Sequence, residues 1–407
     1  MSDLKFDLKV KKQNREPGLP VIKVIGLGGG GGNAVEWMLK SGIEGVEFLC
    51  ANTDAQALSH LSSPVKIQLG ETGLGAGADP EKGKRAAEQE LNTIKSYIED
   101  ADMVFITAGM GGGTGTGSAP VVAKAARDMG ILTVGVVSRP FSFERRDLIA
   151  QEGIDKLKQH VDSLITIPND RLVEVLGQDF KFAKAFEHAN EVLHDSVQGI
   201  SVLIIQPGII NVDFEDLRAV MSESGIGMMG IGEASGEGRA EKALRRAIEN
   251  PLLDQKNISG ARGLLVNITC GEDFSLGEYN EIGDIVYSMA KEDSKVIIGT
   301  SINPELGDLI RVTVVATGIE KVEPRPRAVT PNLHAVQAVS QAEAKKQENV
   351  AILDKQSDEP VSNSGFPINP AQELHRQKRA VNGSSAPEAP HSMNFLDIPA
   401  FLRRQAD

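Results

Sequence analysis

The chain has 407 residues, 41% of them apolar and 24% charged, which is material for a sizeable buried core and more than one domain. Its formal net charge of −13 excludes binding to a nucleic-acid backbone, which rests on Lys and Arg, and excludes a basic membrane-surface role. Aromatics are only 4%, with a single Trp, leaving few rings for stacking on bases.

In chain order, residues 1–19 form a polar arm rich in mixed charge. It lacks the apolar stretch of a signal peptide, and no run of 18 apolar residues follows anywhere, so the expected location is cytoplasmic, with no direct membrane insertion. From Val21 to about Ile319, short β-branched runs alternate with amphipathic stretches. Runs 21–26, 46–51, 103–108, 131–137 and 163–167 are each followed by a helix-like segment, the pattern of βαβ units on a parallel sheet.

Two glycine-rich loops interrupt this alternation. The first, GLGGGGGN (26–33), follows the first strand and opens a helix at about Ala34. Gly26, Gly28 and Gly31 satisfy GxGxxG, so taken alone it reads either as a dinucleotide fingerprint or as a tight turn without ligand. The second, GMGGGTGTGSAP (109–120), lies between strand 103–108 and a helix at about 117–129. Five glycines in seven residues carry a large ordering cost. With two threonines at a helix N-terminus, they suit a polyphosphate held by backbone N–H groups. No GxxxxGK[ST] occurs, and a nicotinamide oxidoreductase needs no second loop of this kind.

A long helix is expected over 182–205, where Phe186, Ala189, Leu193, Val197, Ile200 and Ile204 recur at helical spacing up to Pro207. A second α/β block follows, with strands at 263–270, 295–300 and 309–318 and helices near 214–223, 239–249 and 277–290. At its start stands NVDFED (211–216), whose local reading is a helix N-cap at Asp213 with acids in the first turn. Residues 322–392 hold eight prolines and one aromatic, a composition that cannot offset its ordering entropy. Residues 393–407 restore apolar density with Phe395, Leu396, Ile398, Phe401 and Leu402, as a docking peptide does. Cys50 and Cys270 fit no disulfide framework or zinc spacing, and no protein-built metal site is expected.

GGGTGTG at 111–117 resembles the signature loop of the tubulin/FtsZ superfamily, and Thr116 fits its bacterial branch. GGGGGN (28–33), ANTDAQAL (51–58), GLGAGA (73–78), RPFSFE (139–144), IPND (167–170), NVDFED (211–216) and the terminal LDIPAFLRRQAD (396–407) resemble that family too, in its order. The resemblance implies a Rossmann-like GTP-binding domain with a parallel sheet (20–181), a central helix (182–206), a smaller α/β GTPase-activating domain (207–321), a disordered linker (322–392) and a partner-binding peptide (393–407). It implies GTP and GDP as ligands, with Mg²⁺ held mainly through the phosphates. Gly29, Gly30, Gly31, Gly32, Asn33, Gly112, Gly113, Thr114 and Gly115 would hold the phosphates, with Gly75, Ala76 and Gly77 near the γ-phosphate. Glu144 and Arg146 would approach the ribose, Arg146 being placed by anchoring on QEGI (151–154), and Asn169, Phe186 and Asn190 would frame the guanine.

The same resemblance makes Asn211, Asp213 and Asp216 a catalytic loop. Some twenty helical residues beyond Asn190, it lies on the order of 30 Å from the base, so these acids would act in a neighbouring subunit stacked head to tail. Implied partners are further copies of the chain, assembly regulators and, through 393–407, membrane-anchoring division proteins such as FtsA and ZipA at the midcell division site. Nucleic acid is not among them.

Overall fold

The structure, a computed structural model, describes residues 19–176, 181–206, 208–223, 225–253 and 260–319. The expected arm, linker and terminal peptide fall outside these residues, apart from Leu19 of the arm.

Six strands, β1 (Ile22–Leu27), β2 (Val46–Asn52), β3 (Val65–Gln68), β4 (Met103–Gly109), β5 (Leu132–Arg139) and β6 (Ser163–Pro168), pair in parallel in the order β3-β2-β1-β4-β5-β6. Both faces of this sheet are covered, which is why its strands read as continuous apolar runs. Ile22 and Val24 enter one core with α1 (Gly28–Ser41) and α8 (Phe182–Ile205). Ile25 and Leu27 enter the other, with α3 (Pro80–Gln89), α4 (Leu91–Ile98), α5 (Thr114–Asp128) and α6 (Asp147–Lys158). Two short helices, α2 (Ala55–Ser59) and α7 (Asn169–Leu176), fill connections.

The sheet continues through β7 (Ile226–Ala234), β8 (Gly263–Cys270), β9 (Lys295–Ile302) and β10 (Ile310–Ile319) in the order β7-β10-β8-β9. Here β10 is antiparallel to β7 and β8, while β8 and β9 are parallel. Only Leu164–Ile226 and Ile165–Gly227 join β6 to β7. The helices of this part are α9 (Phe214–Met221), α10 (Arg239–Ile248) and α11 (Leu276–Met289).

The long helix has its expected bounds. Gln206 is extended (φ −94°, ψ 128°), as a residue ahead of proline prefers. Two helices begin earlier than the sequence suggests: α1 opens at Gly28 rather than Ala34, and α5 at Thr114 rather than Gly117. Glycine costs about 1 kcal/mol per helical position, but at these turns it lets backbones meet. Strand β7 is absent from the sequence reading because IGMMGIGEA lacks a β-branched run. Its Gly230 and Gly232 exist for α10: a Cβ at either would collide with the carbonyls of Ala247 or Ala243.

Arg239, nearly buried at the start of α10, ties this part together. It donates to Glu278 and Asp273 at 2.7 Å each and to the Asp308 carbonyl at 2.8 Å. The guanidinium bond holds the Glu278 carboxyl below its ordinary 4.5. A depressed carboxyl stabilises the fold above its unfolded pKa and loses that contribution as pH falls through the folded one. Arg239→Ala is therefore expected to cost about 2 kcal/mol at neutral pH, Asp273 being half exposed. The cost should shrink below pH 4.5, as measured by denaturant melts across pH.

Candidate active site

The strand order reverses between β1 and β4, and ligands of such sheets bind outside the strand carboxyl ends at that point. Both glycine loops leave from there, one after β1 and one after β4, and they interlock through backbone. Gly28 has φ +71°, and a Cβ on it would stand 2.8 Å from the Gly115 nitrogen; a Cβ on Gly30 would stand 3.0 Å from the Gly109 Cα. On the other side α3 presses on α5, where side chains at Gly83 or Gly117 would strike the carbonyls of Gly113 and Pro80. Part of the glycine density thus serves contact with the protein's own backbone. What faces outward is Gly29 and Gly112, half-buried, and Gly30 and Asn33, exposed.

The threonines are engaged internally. Thr114 and Thr53 share a hydroxyl hydrogen bond of 2.6 Å, and the Gly111 amide donates to Thr116 Oγ1 at 2.8 Å. The 73–78 loop is fastened beside them: Gly75 N–H donates to the Thr53 carbonyl at 3.1 Å, and Ala76 is buried where a Cβ on Gly113 would come within 2.8 Å of its own. This seats Ala76 against the second glycine loop, with Gly75 and Gly77 flanking it along the chain.

At the end of β5, Glu144 accepts from the Phe141 amide at 2.8 Å and so closes a 3₁₀ turn. Arg146 precedes α6, its carbonyl oxygen 3.2 Å from a Cβ built on Gly111. Ser142 is held to Asp170 through its amide at 2.9 Å and its hydroxyl. Phe186 joins a four-ring cluster with Phe141, Phe143 and Phe182, with centroids 5.1 to 5.5 Å apart. Asn190 lies one turn further along α8. Asn169 opens α7 and is 5% exposed, yet its Oδ1 has no hydrogen-bond partner, an uncommon state for a buried acceptor.

Asn211, Asp213 and Asp216 are not in this constellation. The fifteen residues from Asn190 to Ile205 span about 22 Å of helix. Ile205 ends against Gly45, which precedes β2, so α8 carries the chain to the amino end of that strand, away from the glycine loops at the carboxyl ends. There Asn211 Oδ1 accepts from the Gly208 amide at 2.7 Å, and Asp213 caps α9 by accepting from the Asp216 amide at 2.7 Å. All three side chains are exposed.

A family model described as the Tubulin/FtsZ family GTPase domain matches residues 21–177, and one described as the FtsZ family C-terminal domain matches 225–320. The chain belongs to the tubulin/FtsZ family. It is 49% identical to the cell division protein FtsZ of Pseudomonas putida over 401 residues, covering 96% of this chain and 98% of that one. It is 48% identical to that of Coxiella burnetii, covering 94% and 96%. Among solved structures, an empty FtsZ dimer from M. jannaschii shares 43% identity at a TM-score of 0.70, covering 75% of this chain and 89% of that one. CetZ2 from Haloferax volcanii, at 20% identity and TM-score 0.63 over 79% of this chain and 99% of that one, shares the fold. The chain is accordingly a tubulin-like GTPase.

Sequence reasoning passed over the Thr53–Thr114 pair, the α3–α5 glycine contact and the partners of Phe186. Only the last left a signal, in PFSF (140–143) and FAKAF (182–186), where aromatic spacing of two and four puts rings on one side of a strand end or helix.

Proposed function

We propose that the chain is the polymerising GTPase of bacterial cell division, with each hydrolytic site assembled from two copies. The carrying observation is the placement of the interlocked glycine loops at the carboxyl ends of β1 and β4, and of Asp213 and Asp216 beyond the far end of α8, which meets the amino end of β2. Acids so placed reach a γ-phosphate only in the next subunit of a head-to-tail stack, and a heterologous contact that does not close grows into a filament.

In this reading Gly29–Gly32 and Gly112–Gly115, with Asn33 and Thr114, hold the phosphates, which approach on the side of the accessible Gly29, Gly30, Asn33 and Gly112. Gly75, Ala76 and Gly77 shape the wall at the γ-phosphate. Arg146 and the free carboxylate oxygen of Glu144 meet the ribose. Phe186 and Asn190 flank the base, and the unpartnered Asn169 Oδ1 suits the N–H donors on the guanine edge. Mg²⁺ would be carried mainly on the phosphates, where it neutralises charge. Asp213 and Asp216 of the incoming subunit orient water for in-line attack.

Residues 20–181, 182–206 and 207–321 act as binding, linking and activating parts, working in the cytoplasm at midcell. No described helix is long and apolar enough to cross a membrane, so attachment falls to 393–407 through anchors of the FtsA and ZipA type, with 322–392 as tether. The test is light scattering with phosphate release on GTP addition: both rise together, and neither rises with GDP. Hydrolysis at full rate without assembly would sink the shared site. Deleting 393–407 should leave both signals intact and abolish the anchor binding that the full chain shows.

A further inference from the structure

A groove between α3–α4, α5 and α6 opens on the sheet face away from α8 and takes no part in the site above. It encloses about 520 Å³, a volume typical of ligand pockets. Leu91, Val121 and Ile149 line it and are half-buried, giving it an apolar floor. Thr116 and Gly117, from the first turn of α5, also line it. Its rim carries both charge signs. Lys84, Lys95 and Lys124 stand among Glu88, Asp128 and Glu152. Lys156 and Glu81 pair across it at 3.5 Å.

We propose that this groove receives the chain's own segment 393–407, which thereby competes with outside partners for the same residues. The inference rests on reading 393–407 as a docking segment. Phe395, Leu396, Ile398, Phe401 and Leu402 match an apolar floor. Asp397, Arg403, Arg404 and Asp407 supply both signs to a rim of both signs. The intervening length suffices: 73 residues, the number from 320 to 392, would span about 50 Å r.m.s. if they behaved as a coil. The last described strand, β10, lies four strands from β4, or about 19 Å across the sheet. A tether of this kind sets an effective concentration near the millimolar range, at which a weak contact is populated.

The test uses the full chain with GDP and a short bis-maleimide. One variant pairs Lys124→Cys with Ala400→Cys; a control pairs Tyr287→Cys, exposed on α11, with Ala400→Cys. Burial pushes the native Cys50 and Cys270 thiols up to about 11, so the introduced pair reacts first. The groove pair is expected to form cross-linked monomer about tenfold faster than the control, and Phe401→Ala/Leu402→Ala should erase the difference. Equal rates, a difference that survives those substitutions, or cross-linked dimers in place of monomers would overturn the proposal. Anchor binding by the same chains is measured separately. A chain that binds its anchor yet shows equal cross-linking rates overturns the groove while leaving the docking segment standing.

Discussion

Asp216→Ala is expected to bind GTP with near-normal affinity and to hydrolyse it at least about 100-fold more slowly, the scale of losing one group that acts on the transition state. The structure separates this effect from folding. Asp216 supplies its backbone amide, not its carboxylate, to the Asp213 cap, so alanine there keeps the cap and the melting temperature. Asp213→Ala should lose activity as well and about 1 kcal/mol of stability, because the capping oxygen itself is removed. Equilibrium binding of GTP and single-turnover hydrolysis check the first variant, thermal melts the contrast. Mixing Asp216→Ala protein with a chain crippled at the glycine loops should restore turnover, since some interfaces then pair an intact loop with intact acids. A severe loss of GTP affinity in isolated Asp216→Ala protein would place this acid in its own subunit's pocket and end the two-copy reading.

Gly113→Val is expected to lower GTP affinity at least about 100-fold, roughly 2.7 kcal/mol, and with it assembly. A Cβ at Gly113 would lie 2.8 Å from both Ala76 Cβ and the Asp79 amide nitrogen. A branched side chain must therefore displace the 73–78 loop or the start of α5, and both line the phosphates in the proposed site. Circular dichroism establishes that the variant is folded, and titration with a fluorescent GTP analogue reads the affinity. Retained stoichiometric binding by the folded variant would move the nucleotide to another pocket.

These two substitutions draw on different sources. The catalytic reading of Asp216 comes only from family resemblance, because local rules read Asp213 in NVDFED as an N-cap. The local reading holds, since the Asp213 side chain does cap α9. A capping oxygen and a catalytic carboxylate need the same residue type at a helix start, so composition alone cannot separate them. For the glycine loop, entropy rightly called for a close approach, but it could not name the approaching group. For Gly28, Gly83, Gly113 and Gly117 the neighbour is protein backbone distant in sequence.

By itself the sequence determined what depends on neighbours a few residues apart. The apolar runs of β1, β2, β4, β5 and β6, the helical spacing of α8 and the two loops that punctuate strand-to-helix junctions all follow from local periodicity and turn chemistry. Tertiary structure decided what depends on pairing. It set the reversal of strand order between β1 and β4 that makes the loops meet, and it recruited glycine-rich β7 as a strand by packing α10 against it. It gathered Phe141, Phe143, Phe182 and Phe186 into one cluster, and it delivered the far end of α8 to the amino end of β2. Strand order and inter-helix contact are fixed by the best joint burial of many distant side chains, and no window along the chain contains that information.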